Sequence, residues 1–168
     1  MKEEHAASIA NFSCDDEELN EYLKKDALAY QKLHLGVTYI LFTKAANKPI
    51  SYMTLAMGSL KIPDKCEFTL RGKKLGDYAK MFPQQFPALL IGKLATDRNE
   101  EGKGAASLLL DYAAKIAIAA RQQFGCSHLI AHAKATQKIV DWYKRRGLVT
   151  YVEDLTKRDS IPMYFELP

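Results

Sequence analysis

The run at 89–110, LLIGKLATDRNEEGKGAASLLL, constrains the fold of this chain more than any other stretch. Its apolar beginning predicts a buried strand at 88–96, and a polar turn follows at 97–101. The glycine-rich segment 102–106 then opens a long helical pattern, because apolar residues recur every three or four positions after it. The residues predicted to share the apolar face of this helix are Leu108, Leu109, Tyr112, Ile116 and Phe124.

The segment 102–106, GKGAA, is suited to hold an anion. The first N–H groups of a helix have no partner inside the helix, and the helix dipole favours negative charge at that end. Glycine also lets a phosphate approach the backbone, since a side chain would hold it away. A glycine pair at a helix start is equally typical of a plain tight turn. The turn alone therefore leaves both interpretations open.

Length and composition indicate one domain over 1–168 with a real core. No apolar run is long enough to span a bilayer, and the N-terminus lacks a basic-then-apolar signal pattern. Cys14, Cys66 and Cys126 show no metal-ligand spacing. They indicate reduced thiols in a cytoplasmic protein, and no metal site is predicted. The net charge of +4 permits an anionic partner without requiring one.

The remaining periodic segments complete a mixed α/β pattern. A short strand is predicted at 9–12, and an amphipathic helix follows to about residue 33, with Asp15 and Glu18 at capping-box spacing. Further strands are predicted at 37–43, 50–60, 127–133, 148–152 and 163–167, and the first two of these form a hairpin. A helix at 135–146 directs Ile139, Trp142 and Tyr143 inward and is capped by Gly147. This order favours a mixed sheet with helices on both faces.

The stretch 61–87 has no clear periodicity. It is rich in proline, glycine and lysine, so it is predicted to be mostly loop, with a short helical turn at 75–82. Long loops in compact domains are usually functional or disordered. Two interpretations stay open: a flap over an acceptor site with lysines that meet an anionic substrate, or a solvated insertion.

The run Glu101-Gly102-Lys103-Gly104-Ala105-Ala106 resembles the acyl-CoA-binding motif of the GCN5-related N-acetyltransferases. That motif has Gln or Arg, two residues, Gly, one residue, then Gly or Ala. Gly104 and Ala106 match it, whereas Glu101 stands where the family has a basic or amide side chain. Arg98 and Lys103 are available as substitute cations for the pyrophosphate.

A second segment, 136–148, carries the same resemblance. The family often shows Asn, Ala three residues later, an aromatic-Tyr pair, and Gly after three more residues. Trp142, Tyr143 and Gly147 match, while Thr136 and Ile139 replace the Asn and the Ala. The stretch 12–23 also resembles one subgroup, which includes toxins that acetylate aminoacyl-tRNA.

The resemblance implies an acyl-CoA N-acyltransferase fold, with a largely antiparallel sheet, and acetyl-CoA as co-substrate. Tyr143 becomes the candidate general acid for the CoA thiolate, because a tyrosine of pKa about 10 is protonated at neutral pH. The implied partners are an amine substrate, charged tRNA as one version of it, an antitoxin and a second copy in a homodimer, with no membrane. The implied cofactor contacts are Leu94, Ala95, Thr96, Glu101, Gly102, Lys103, Gly104, Ala105, Ala106 and Thr136.

Several alternatives remain beside this interpretation. The domain could hold CoA as a sensor without turnover, and Tyr143 could be a packed aromatic residue. A nucleotide phosphate loop is disfavoured, because Ala105 follows Gly104 where a P-loop has Lys and then Ser or Thr. No general base is apparent. The candidates are Glu67, Glu100 and Glu101, while His128 and His132 share a strand face and are more typical of ordinary strand histidines than of a metal or proton-shuttle pair.

Overall fold

The computed structural model describes residues 1–44, 47–62, 69–74 and 85–168. These form two compact units, the first made of Met1–Ala56 with Ile91–Lys115 and the second of Met57–Leu90 with Ile116–Pro168. The α-helices are α1 (Ala6–Ile9), α2 (Glu17–Glu21), α3 (Ala27–Lys32), α4 (Ala105–Phe124) and α5 (Gln137–Lys144). The strands are β1 (Val37–Phe42), β2 (Pro49–Lys61), β3 (Thr69–Leu70), β4 (Lys73–Lys74), β5 (Gln85–Thr96), β6 (His128–Lys134) and β7 (Ser160–Glu166).

Five strands form one sheet in the order β1-β2-β5-β6-β7, and β3 pairs with β4 separately. β1 runs antiparallel to β2, with Val37 opposite Leu55. β6 runs antiparallel to β7, with Ala131 opposite Met163. The predicted mixed, largely antiparallel α/β sheet and the predicted hairpin are confirmed. The strand at 88–96 is also confirmed, because it forms the second part of β5.

Aromatic packing holds the core of the first unit together. The Phe12 ring meets the Tyr52 ring edge-on at 5.5 Å, and both side chains are buried. The Tyr52 hydroxyl donates a hydrogen bond of 2.7 Å to the Leu19 carbonyl, so its polar atom is satisfied inside the core. Leu23 and Ala95 pack into the same cluster, which joins the N-terminal helices to the sheet of this unit.

The N-terminal predictions are wrong in two respects. Residues 9–12 are not a strand, because α1 ends at Ile9 and a turn follows with the Phe12 N–H bonded to the Ile9 carbonyl at 3.0 Å. Ile9 and Phe12 are both buried. Because residues three apart lie on the same side of a helical turn, a helical turn buries this pair without a strand. The predicted long helix is interrupted by one turn of π-helix at Tyr22–Asp26, and Asp16 rather than Asp15 caps it.

The second unit has its own apolar cluster, which includes Leu60, Phe86 and Ile130. Helix α5 buries Val140 and Tyr143 in this unit. It ends where Gly147 adopts a φ of +83°, and the Leu148 N–H returns to the Tyr143 carbonyl at 3.2 Å. This geometry confirms Gly147 as the helix cap, because a left-handed residue there favours glycine.

Three further expectations are corrected. The strand predicted at 148–152 is reduced to a single bridge between Val149 and Tyr164. Part of the predicted loop 61–87 forms the short hairpin of β3 and β4, while the helical turn predicted at 75–82 lies outside the described residues. The predicted core face of α4 is partly wrong. Leu109 is buried as predicted, but Leu108, Tyr112 and Phe124 are exposed, and the buried face also carries Leu110, Ala113 and Ala117.

Within the described part of the chain, no helix is long and apolar enough to cross a membrane.

Asn20 offers a test of the first unit's packing. Its buried amide accepts from the Cys14 N–H at 2.8 Å and donates to the Cys14 carbonyl at 3.1 Å. Asn20→Ala leaves the Cys14 N–H and carbonyl without these hydrogen bonds. We therefore expect the free energy of unfolding to fall by about 2–4 kcal/mol in urea denaturation. Asn11→Ala, at an exposed position, is the control and should change it by less than about 0.5 kcal/mol. Equal effects of the two variants would contradict this account of the packing.

Candidate functional site

The turn between β5 and α4 is built from backbone geometry. β5 ends at Thr96, and a short 3₁₀ helix covers Arg98–Glu100. Gly102 and Gly104 then take φ values of +75° and +88°, after which α4 begins at Ala105. Both glycines therefore occupy the left-handed region, where an L side chain is strained. The N–H groups that open α4 follow directly.

The space in front of this turn is open. A Cβ placed on Gly102 or Gly104 would meet no heavy atom of the described residues within 4 Å. Glycine is therefore required here by backbone conformation and not by crowding inside the chain. The N-terminus of α4 follows directly, and a helix N-terminus is the end that favours an anion.

Each of the two predicted substitute cations forms an ion pair with a carboxylate. The Arg98 Nε lies 2.7 Å from Asp15, and the Lys103 Nζ lies 3.0 Å from Glu100. Both pairs are largely exposed and so contribute little to stability. A pyrophosphate could replace either carboxylate at small cost. Glu101, which departs from the family motif, is exposed beside them.

The predicted strand contacts at Leu94, Ala95 and Thr96 lie at the end of β5. The Ala95 side chain is buried in the core of the first unit, so it cannot contact a ligand. The Ser51 Oγ donates to the Ala95 carbonyl at 2.7 Å and lies 3.1 Å from the Thr96 Oγ1. Sequence reasoning missed Ser51, because its contact joins strands that are far apart in the chain.

A buried carboxylate precedes the turn. Asp97 is 1% exposed and caps the 3₁₀ helix by accepting the Asn99 N–H at 3.1 Å. It also accepts the Ser13 N–H at 3.2 Å and lies 3.4 Å from the Lys48 Nζ. Burial acts to raise the pKa of this carboxyl, but the two backbone donors and the Lys48 charge outweigh it and hold the pKa below its usual 3.8. The sequence offers one signal for this role, an Asp directly after the predicted strand, since Asp is a preferred helix N-cap residue.

Tyr143 lies on α5 in the second unit and is 6% exposed. The Trp142 ring stands perpendicular to its ring at 4.9 Å. Burial raises the pKa of Tyr143 to about 12, so its hydroxyl is protonated throughout the neutral range. Thr136 occupies the N-cap position of α5 and is exposed. The glycine turn and the residues Leu94, Ala95 and Thr96 belong to the first unit, whereas Thr136 and Tyr143 belong to the second.

The two histidines predicted to share a strand face differ in burial. His128 is buried, lies 2.8 Å from the Ser127 Oγ and packs near Phe86 and Tyr164. Burial lowers its pKa, so it is neutral at physiological pH. His132 is exposed on the same strand. Across the described residues, no group of three His, Cys, Asp or Glu side chains is placed to hold a metal ion.

The structure describes some of the remaining candidates for a general base, and two of the three cysteines. Glu100 is engaged by Lys103, and Glu67 lies outside the described residues. Cys14 and Cys126 are buried free thiols, as predicted, and Cys66 also lies outside that part of the chain.

The lowered pKa of Asp97 predicts acid sensitivity. A carboxyl whose folded pKa is below its unfolded value adds stability above the unfolded pKa, and this stability is lost as pH falls through the folded pKa. We therefore expect the free energy of unfolding to fall between about pH 5 and about pH 3, and to fall less in Asp97→Asn. Urea denaturation at both pH values measures it. The exposed Asp111→Asn on α4 is the control, and an unchanged acid loss in Asp97→Asn would contradict the assignment.

No protein-family model matches the chain. A tRNA-acetylating toxin of Mycobacterium tuberculosis (strain ATCC 25618 / H37Rv) is 28% identical over 128 residues, which cover 76% of this chain and 70% of the toxin. The crystal structure of a tyrosine-to-phenylalanine mutant of KacT matches with a TM-score of 0.76 and 20% identity, covering 95% of this chain and 87% of KacT.

AtaT complexed with acetyl-methionyl-tRNAfMet matches with a TM-score of 0.75 and 21% identity, covering 94% of this chain and 86% of AtaT. The comparisons confirm the resemblance predicted from the sequence: this chain has the fold of the GCN5-related N-acetyltransferases and is similar to the tRNA-acetylating toxins among them.

Proposed function

We propose that this protein is an N-acetyltransferase that moves an acetyl group from acetyl-CoA to an amine. The observation that carries the proposal is the strand, left-handed glycine turn and helix at 85–124, in which two glycines with positive φ lead directly into a helix N-terminus. The toxin relative is named for the same chemistry, and AtaT has been solved with acetyl-CoA.

In this proposal the backbone of 102–106 binds the pyrophosphate of CoA. Helix N-terminal N–H groups suit this role because they carry partial positive charge and lack partners inside the helix. Arg98 leaves the exposed Asp15, Lys103 leaves the half-buried Glu100, and both add charge to the site. The backbone of Leu94, Ala95 and Thr96 pairs with the amide groups of the pantetheine arm. Thr136, at the N-cap position of α5, stays a predicted contact with the cofactor.

The reaction is a direct transfer. The lone pair of a neutral amine attacks the thioester carbonyl carbon, and a C–N bond forms as the C–S bond breaks. Tyr143 donates its hydroxyl proton to the departing sulfur, and the amine nitrogen releases a proton that restores the tyrosine. Because the pKa of Tyr143 is about 12, the tyrosinate does not accumulate, and the donor is ready at neutral pH.

For the acceptor, we propose the amino group of an aminoacyl-tRNA. The relative from Mycobacterium tuberculosis is named a tRNA-acetylating toxin, and AtaT was solved in complex with acetyl-methionyl-tRNAfMet. The exposed side chains of Lys138, Lys144 and Arg145 on α5 supply positive charge that suits a phosphate backbone. Charged tRNA and reduced thiols both belong to the cytoplasm, which is the compartment we propose.

An antitoxin is the protein partner that follows from a toxin function. AtaT was solved bound to the C-terminus of the antitoxin AtaR together with acetyl-CoA, and a KacTA–DNA complex also matches this fold. A homodimer stays a prediction beside it.

Acetyl transfer from radiolabelled acetyl-CoA tests the reaction and its acceptor together. The panel contains charged tRNA, the same tRNA without an amino acid, and small primary amines. Label on charged tRNA, and none on uncharged tRNA, is the expected result. Label on small amines alone would overturn the proposal that tRNA is the acceptor, while the proposal that the protein is an N-acetyltransferase would stand. Binding of acetyl-CoA without transfer to any acceptor would favour the CoA sensor instead.

Gly104 is the residue whose replacement tests the turn. Gly104→Ala forces an alanine to a φ of +88°, which costs about 1–2 kcal/mol, and the turn relieves this by moving its N–H groups. We expect the dissociation constant for acetyl-CoA to rise ~10-fold or more by calorimetry. Gly125→Ala is the matched control, since Gly125 also has a positive φ of 70° and open space around it. Equal weakening in both variants would point to general destabilisation and contradict the assignment.

Tyr143 is tested by removing its hydroxyl alone. Tyr143→Phe keeps the buried ring, so we expect acetyl-CoA affinity to persist while kcat falls by about 10² to 10⁴. Tyr151→Phe in the same unit is the control and should leave kcat unchanged. Full activity of Tyr143→Phe would remove the tyrosine from the mechanism.

A further inference from the structure

We infer that Asp97 is the positioning residue that fixes the conformation of the glycine turn and thereby sets the affinity for acetyl-CoA. The inference rests on the proposed function, because it assigns this turn to the pyrophosphate.

Asp97 is the one buried side chain between Thr96 and Ala105, a stretch that the structure describes throughout. The other side chains of this stretch are exposed or half-buried, and the ion pairs of Arg98 and Lys103 lie at the surface. Gly102 and Gly104 have no side chains that could restrain the backbone. Asp97 is therefore the single buried side chain that anchors this turn.

The carboxylate of Asp97 joins three separate segments. Its Oδ2 accepts the Ser13 N–H at 3.2 Å, and its Oδ1 accepts the Asn99 N–H at 3.1 Å. The Lys48 Nζ lies 3.4 Å from Oδ1 and brings the compensating charge. Hydrogen bonds to an ionised acceptor are stronger than neutral ones, so both backbone segments are held firmly.

The backbone around Asp97 reinforces this junction. The Asp97 N–H donates to the Ile50 carbonyl at 2.9 Å, and the Asp97 carbonyl accepts the Glu100 N–H at 2.8 Å. The Arg98 N–H donates to the Ser13 carbonyl at 2.8 Å. The start of the turn is thus fixed by the carboxylate and by backbone bonds on both sides of it. Movement of Asp97 would be transmitted to the N–H groups of Gly102 to Ala106, which are a few residues further along.

The experiment compares acetyl-CoA binding and turnover in two variants of Asp97. Asp97→Asn keeps the shape but removes the charge, and one of its two acceptor oxygens becomes an NH₂ donor. An NH₂ in place of Oδ2 cannot accept the Ser13 N–H, and an NH₂ in place of Oδ1 cannot accept the Asn99 N–H or the Lys48 contact. Asp97→Ser can still cap the 3₁₀ helix but is too short to reach Ser13. For both variants we expect the dissociation constant and KM for acetyl-CoA to rise ~10-fold or more, while kcat at saturation stays within about twofold.

Two control variants separate positioning from general loss of stability. Asp154→Asn alters another aspartate that caps a 3₁₀ helix, where Asp154 accepts the Thr156 N–H at 3.0 Å in the second unit. Thr38→Val removes a buried hydroxyl pair with Thr54 at 2.9 Å in the first unit, away from the turn. Both controls should keep the dissociation constant for acetyl-CoA within about twofold. Urea denaturation of every variant shows which of them are destabilised to the same degree.

The outcomes are distinguishable. If wild-type protein does not bind acetyl-CoA, the proposed function fails. If wild-type protein binds and both Asp97 variants bind equally well, the positioning role of Asp97 is overturned while the function stands. A fall in kcat with unchanged KM would overturn it too, as would a Thr38→Val variant that weakens binding as much as Asp97→Ser at equal stability. Should Asp97→Asn fail to fold, Asp97→Ser still decides the question.

Discussion

The left-handed backbone at Gly102 and Gly104 is the constraint on which the candidate site depends. A chain that leaves a buried strand and enters a helix within a few residues must reverse direction sharply, and these two glycines allow it. What results is a helix N-terminus directly after two positions at which a Cβ would meet no described atom within 4 Å. Glycine permits this conformation but does not enforce it, because it is equally free to adopt others. The buried carboxylate just before the turn supplies the missing restraint.

The tyrosine side of the proposed chemistry depends on burial. A phenol of pKa about 12 is a weaker acid than an exposed tyrosine, which limits how fully it can transfer its proton. The same burial removes competing water, and a hydrogen bond donated to a developing thiolate is stronger where water is excluded. Tyr143 is therefore suited to stabilise the departing sulfur as charge develops on it. This role needs no titration of the tyrosine in the neutral range.

Local signals in the sequence predicted much of the fold. The hairpin of β1 and β2, the strand–turn–helix of β5 and α4, and the cap at Gly147 were predictable because period and turn residues act over short distances. The prediction of a strand at 9–12 was wrong because a short apolar run fits a helical turn equally well. The prediction of the buried face of α4 failed in part because that face includes small alanines, Ala113 and Ala117, which carry little hydrophobic signal. At the site, the glycine turn was predictable from the sequence. The contact between Ser13 and Asp97 was not, because it spans 84 residues and has no local signature.

A crystal structure of the protein with acetyl-CoA is the most direct test of this account. We expect the pyrophosphate to accept hydrogen bonds from the backbone N–H groups of 102–106 and the pantetheine arm to pair with the backbone near Leu94 to Thr96. The Tyr143 hydroxyl should lie within hydrogen-bond distance of the thioester sulfur. A pyrophosphate bound elsewhere, or a Tyr143 hydroxyl far from the sulfur, would contradict the site and the mechanism proposed for it.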